Sequence, residues 1–152
     1  MEKIDAKELD PKFKYDVAAH PGGENIKLCF ACGTCTAGCP VSEITSEFDP
    51  RKIIRQIMLG MRKQVLSSRA IWQCVQCYAC TAKCPQNVKF KNIIMALREM
   101  AVKEGFADAS LIDDVEELGG LAQKLRLYLV NTMMTDRGRF DELKKKVEET
   151  IA

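Results

Sequence analysis

Apolar positions along this chain recur at intervals of three and four residues, the mark of helices that bury one face. Ile53, Ile54, Ile57, Met58 and Met61 form one such stripe. Asp49-Pro50 stands just ahead of it, an acidic N-cap followed by proline at the first helical position, and predicts a helix start. Gly60 weakens or ends that helix, and a second short helix near 64–72 delivers the chain to Cys74. Phe90, Ile93, Ile94, Leu97 and Ala101 make a longer stripe, closed by Gly105 as a C-terminal cap. Leu111, Ile112, Val115 and Leu118 predict a helix from Ser110 to Leu118, which Gly119-Gly120 is expected to break. Leu121, Leu125, Tyr128 and Leu129 start the next, ending before Gly138. Phe140, Leu143, Val147 and Ile151 make a last amphipathic helix. Residues 1–28 are weakly patterned, with turn signals at Asp10-Pro11 and Pro21-Gly22-Gly23, and read as an extended arm with at most one short helix. No segment alternates as a strand does, so the expected class is mostly α.

Composition narrows the function. At 152 residues the chain is long enough for one domain with a buried core, and 47% hydrophobic with 29% charged residues is ordinary globular usage. A net charge of +2 is too small for a protein held to nucleic acid by its phosphates. No apolar run reaches the length of a membrane span, and Met1-Glu2-Lys3-Ile4-Asp5 has no apolar stretch resembling a secretory signal, so the expected compartment is the cytoplasm. His20, the one histidine, lies beside a Pro-Gly turn and reads as a surface residue; Lys144-Lys145-Lys146 reads as a solvated face. The Ile and Met stripes and Trp72 read as core. Neither G-x-G-x-x-G nor a Walker A motif occurs, and a single histidine supplies no nucleophile triad, so no catalytic substrate site is expected in this chain.

The chemistry is in eight cysteines. They fall into Cys29-x2-Cys32-x2-Cys35-x3-Cys39-Pro40 and Cys74-x2-Cys77-x2-Cys80-x3-Cys84-Pro85, with none left over and every equivalent pair offset by 45. Thr36-Ala37 recurs as Thr81-Ala82. Structural disulfides are rare in a reducing compartment, and a zinc site needs no third cysteine two residues on. Three thiolates at this spacing wrap one [4Fe–4S] cube, and in two-cluster ferredoxins the fourth ligates the other cube. The expected ligand sets are therefore Cys29, Cys32, Cys35 and Cys84 for the first cluster, and Cys74, Cys77, Cys80 and Cys39 for the second. Pro40 and Pro85 turn the chain away from the metal. Residues 40–73 are more than a small bacterial ferredoxin inserts between its motifs, which argues for a helical variety of two-cluster ferredoxin.

The order of arm, motif, helical insert, second motif and helices resembles the C subunit of heterodisulfide reductase (HdrC). Cys32-Gly33-Thr34-Cys35-Thr36-Ala37-Gly38-Cys39-Pro40 and Cys84-Pro85 with its following helix carry the likeness, from Cys29 to Ala101. The resemblance implies an α-helical ferredoxin fold. It also implies an electron-transfer subunit with two [4Fe–4S] clusters, set between a flavin-containing subunit and a cysteine-rich catalytic subunit that reduces a disulfide. Adjacent Cys-Cys pairs mark that catalytic subunit, and none occurs here. The iron–sulfur subunits of other flavin dehydrogenase complexes, and free ferredoxin-like carriers, are the alternatives. The resulting organisation is an N-terminal arm (1–28), a two-cluster core (29–105), and C-terminal helices (106–152) packing on the core or on a partner.

Overall fold

The computed structural model describes residues 6–151, and among them no residue is in a strand. Two compact units are present: one runs through Ala109, the second begins at Ser110.

In the first unit, helices α1 (Phe13–Ala19), α2 (Thr34–Ala37), α3 (Pro40–Ile44), α4 (Pro50–Met58), α5 (Arg62–Leu66), α6 (Ala79–Ala82) and α7 (Phe90–Lys103) surround one apolar core. Helix α4 begins as its sequence directs: the Asp49 carboxylate accepts the Lys52 amide at 3.0 Å, and Pro50 takes the first helical position. Ile53, Ile54 and Ile57 are buried on its inner face, with Met61 just beyond, whereas Met58 is exposed. Gly60 then turns the chain at φ +80, a left-handed conformation, and its carbonyl accepts the Asp10 amide at 2.7 Å. The single helix expected near 64–72 is divided into α5 and a 3-10 turn, Arg69–Trp72, because Ser68 caps the turn by accepting the Ala70 amide at 3.1 Å. Helix α7 buries Phe90, Ile93, Ile94, Leu97 and Ala101, and Gly105 follows it at φ +77.

Where the sequence reads as an arm, residues 6–28 are folded into the core. They form 3-10 turns at Ala6–Glu8 and Glu24–Leu28 with α1 between them, and Phe13, Val17 and Ile26 are wholly buried. Arg62 fixes this segment by ion pairs to Asp10 (2.9 Å), Asp16 and Glu104 (2.6 Å). Asn25 donates to the Asn87 carbonyl at 2.9 Å. Three large side chains at 0% exposure outweigh the weak local pattern, at about 1.5–3 kcal/mol of transfer free energy each. Residues 1–5 of the expected arm lie outside the described residues.

The second unit is a helical hairpin of α8 (Ser110–Thr135) and α9 (Arg137–Ile151). The break expected at Gly119-Gly120 does not occur: α8 runs through it. Each glycine costs about 1 kcal/mol relative to alanine, but the flanking Leu, Glu, Ala, Gln, Lys and Arg are strong helix formers. The true break is at Asp136, whose carboxylate accepts the Arg139 amide at 3.0 Å and caps α9. Ion pairs spaced four residues apart, such as Lys144–Glu148 at 3.6 Å, line the exposed face of α9. Among the described residues no helix is long and apolar enough to cross a membrane.

Candidate metal centres

The 45-residue repeat is a repeat of backbone as well as of sequence. Ala31 (φ +58) and Gly33 (φ +85) flank Cys32, and their equivalents Gln76 (φ +53) and Tyr78 (φ +63) flank Cys77. Each motif therefore takes two left-handed steps around its second cysteine, immediately before the short helices α2 and α6. Only glycine makes such a step freely; the other three residues each hold a conformation costing roughly 1–2 kcal/mol. Strain repeated at equivalent positions in both halves marks a shape that the loops are built to keep.

The symmetry fails where the halves meet. Lys83 occupies the position equivalent to Gly38 and lies against it: a Cβ on Gly38 would come within 2.7 Å of Lys83 Cδ and Nζ. One glycine makes room for the other half's lysine stem. The two prolines also differ, since Pro40 opens α3 while Pro85 opens a turn closed by the Asn87 amide on the Cys84 carbonyl (3.2 Å).

All eight thiols are free, and they line two hollows. Cys29, Cys32, Cys35 and Cys84 are on the wall of one, and Cys39, Cys74, Cys77 and Cys80 on the wall of the other. Cys80 touches the first as well. Ile54, Val88 and Phe90 line the first, with Arg51 and Gln86 also on its border, and Val41, Phe48 and Phe90 line the second, with Gln76 and Lys91 on its border, so the walls are largely but not wholly apolar. Among the described residues no three Cys, His, Asp or Glu side chains converge on one point as a single ion requires. Sulfurs spread around a hollow suit a body with metal at several corners, which is how these residues fit a [4Fe–4S] cube.

Within each set one sulfur reaches the surface, Cys32 in the first and Cys77 in the second, and these too are equivalent positions. Cys39 is buried and the remaining thiols are half-buried. Burial pushes the Cys35 thiol up to about 11 and raises Cys74 and Cys80. The Thr34 hydroxyl, 3.2 Å from the sulfur, lowers Cys32. Backbone amides serve other sulfurs: Ala31 donates to Cys29 and Val88 to Cys84, both at 3.4 Å. Ligation requires thiolates, so loading releases thiol protons, and burial opposes that step at Cys35, Cys74 and Cys80.

Two residues to which the sequence assigns no supporting role hold the loops. Thr36, inside the first motif, donates to the Asp49 carboxylate at 2.6 Å and accepts the Arg51 amide at 3.0 Å, so the cap of α4 also holds the cysteine loop. Arg98 is 1% exposed; its Nε donates to the Ile71 carbonyl (2.9 Å), and Nη2 to those of Trp72 (3.1 Å) and Cys74 (3.0 Å). Its sequence signal is its phase: it sits four residues after Ile94 and three before Ala101, on the buried face of α7. Trp72 is half-buried beneath the Arg98 guanidinium, 5.5 Å from ring centre to Cζ, and lines neither hollow. His20 is away from both hollows, with Nε2 3.3 Å from a Glu99 carboxylate oxygen.

A family described as a 4Fe–4S dicluster domain matches residues 25–88, a span that takes in all eight cysteines. The C subunit of an H(2):CoB-CoM heterodisulfide,ferredoxin reductase from Methanothermobacter thermautotrophicus is 37% identical over 98 residues, 64% of this chain and 52% of that protein. The chain is HdrC-like. The C subunit of a ferredoxin:CoB-CoM heterodisulfide reductase from Methanosarcina acetivorans is 35% identical to this HdrC-like chain over 133 residues, 84% of this chain and 53% of that protein. An iron-sulfur C 2 subunit of a CoB--CoM heterodisulfide reductase from Methanocaldococcus jannaschii is 43% identical over 82 residues, 54% of this chain and 43% of that protein. The chain spans about half the length of the curated relatives it matches. Its class is that of a mostly α, two-cluster ferredoxin-like protein, and its cofactors are two [4Fe–4S] clusters.

Proposed function

We propose that this chain is the iron–sulfur electron-transfer subunit of a heterodisulfide reductase or closely similar complex. In this reading it relays single electrons between a flavin-containing iron–sulfur subunit and a cysteine-rich subunit that reduces the disulfide, in the cytoplasm. The observation that carries the reading is the pair of cysteine-lined hollows, one with Cys29, Cys32, Cys35 and Cys84 on its wall and the other with Cys39, Cys74, Cys77 and Cys80, Cys80 bordering both. Cys29, Cys32, Cys35 and Cys84 hold the first cluster, and Cys74, Cys77, Cys80 and Cys39 the second. Each bound cluster supplies a one-electron carrier. The chain's own part is to fix eight thiolates, surround them with apolar side chains that exclude water, and leave Cys32 and Cys77 at the surface. With every cysteine engaged and His20 away from both hollows, substrate chemistry belongs to the partner subunits.

The test is iron and acid-labile sulfide analysis with EPR on anaerobically purified protein. About eight iron and eight sulfide per chain are expected for two cubes. Cys39→Ser is expected to disturb the cluster of the second motif, and Cys84→Ser that of the first. Loss confined to the variant's own motif would contradict the crossed sets. Purification from the native host without any flavoprotein or cysteine-rich iron–sulfur partner would remove the assignment to a complex.

A further inference from the structure

We propose that Arg98 is a positioning residue for the second cluster, whose buried charge raises that cluster's reduction potential while its fork holds the entry to the second cysteine loop. This role rests on the two-cluster reading proposed above.

Three observations point to it. The guanidinium is 1% exposed, so water screens its charge little. Three hydrogen bonds from it go to the carbonyls of Ile71, Trp72 and Cys74, that is, to the last turn before the second motif and to that motif's first cysteine. Its flat face lies over the Trp72 ring, which limits its movement. The position equivalent to Cys74 in the first half is Cys29, and none of these three bonds reaches a carbonyl there.

One-electron reduction of the second cluster would add one negative charge at the thiolate set to which Cys74 belongs, with no bond made or broken and no proton required. A fixed neighbouring cation favours the reduced form over the oxidised one. A cation outside the protein would do so far less, being screened by solvent. Arginine suits the task because it stays protonated when buried and its planar fork meets several carbonyls at once.

The experiment titrates the anaerobic, fully loaded chain with mediators and follows each cluster by EPR. The second cluster's signal is assigned as the one altered by Cys77→Ser. Arg98→Gln keeps an N–H donor and drops the charge; Arg98→Lys keeps the charge and drops the fork. Arg98→Gln is expected to lower the reduced-to-oxidised ratio of the second cluster about tenfold at fixed ambient potential, about 59 mV for one electron, with the first cluster unmoved. Arg98→Lys is expected to stay within about threefold of wild type, less than half of that shift. An unshifted second cluster in a fully loaded Arg98→Gln chain overturns the proposal, as does an equal fall in both variants, which would mean that the fork alone matters. If Arg98→Gln fails to load the second cluster, Arg98→Lys decides: full loading with an unshifted potential sustains the charge role, and a tenfold fall ends it. A wild-type chain without iron and sulfide would instead sink the two-cluster reading itself.

Discussion

Replacing Asp49 by alanine should loosen the first cysteine loop without touching a cysteine. The carboxylate has two jobs: it caps α4 through the Lys52 amide (3.0 Å) and accepts the Thr36 hydroxyl (2.6 Å), which itself accepts the Arg51 amide. Loss of an N-cap costs about 0.5–2 kcal/mol, and a hydrogen bond to a charged group about 1.5–3 kcal/mol. Asp49 is only partly buried, so we take the low end, about 2 kcal/mol in all, or roughly a 30-fold change in an equilibrium. Burial pushes the carboxyl up, but the hydrogen bonds from Thr36, Lys52 and Arg51 outweigh it and hold the group below its usual range. A depressed folded pKa contributes stability that is present above the unfolded value, about 3.9, and is lost as pH falls through the lower folded value. The assay is the rate of visible bleaching of anaerobic holoprotein in guanidinium, since cluster loss is irreversible and stability is then read as a rate. Asp49→Ala should bleach roughly 30-fold faster near neutral pH, with the excess shrinking as acid protonates Asp49 in wild type. Asp49→Asn keeps the cap and should lie between the two. A bleaching rate for Asp49→Ala within about twofold of wild type, a difference of under 0.5 kcal/mol, would show that this linkage does not hold the loop.

Two further outcomes follow from the packing. Gly60→Ala should free the N-terminal segment, because φ is +80 and the new Cβ would collide with the Asp10 carbonyl oxygen. A cost of about 1–2 kcal/mol from the left-handed conformation alone is expected, read as faster proteolysis within residues 6–28; unchanged cleavage would refute it. Phe13→Ala, at a site with 0% exposure, should destabilise the first unit by about 3–5 kcal/mol, seen as faster cluster loss in guanidinium. A chain that bleaches at the wild-type rate would mean that the core does not depend on this segment.

The helices around the cysteines are legible because cap, proline and stripe agree: Asp49-Pro50 with the isoleucines for α4, and Phe90 to Ala101 for α7. The N-terminal segment is not, since its buried residues, Phe13, Val17 and Ile26, are too few to make a stripe and their partners lie far along the chain. The glycine pair misleads where local propensity is weighed above phase. Leu111, Val115, Leu118, Ala122, Leu125, Leu129 and Thr132 keep alternating four- and three-residue steps across it, as one continuous helix does. The grouping of cysteines follows from spacing, but their support does not. Nothing local ties Thr36 to Asp49, or Arg98 to the carbonyl of Cys74, because those bonds span 13 and 24 residues.

The strained steps that bring Cys32 and Cys77 to the surface have a chemical consequence beyond conduction. An exposed cysteine is open to dioxygen and peroxide, and thiolate sulfur is oxidised where it is accessible. Corrosion of this protein should therefore begin at two symmetry-related corners, one per half. A partner docked over them would be at once a plug and a guard against air.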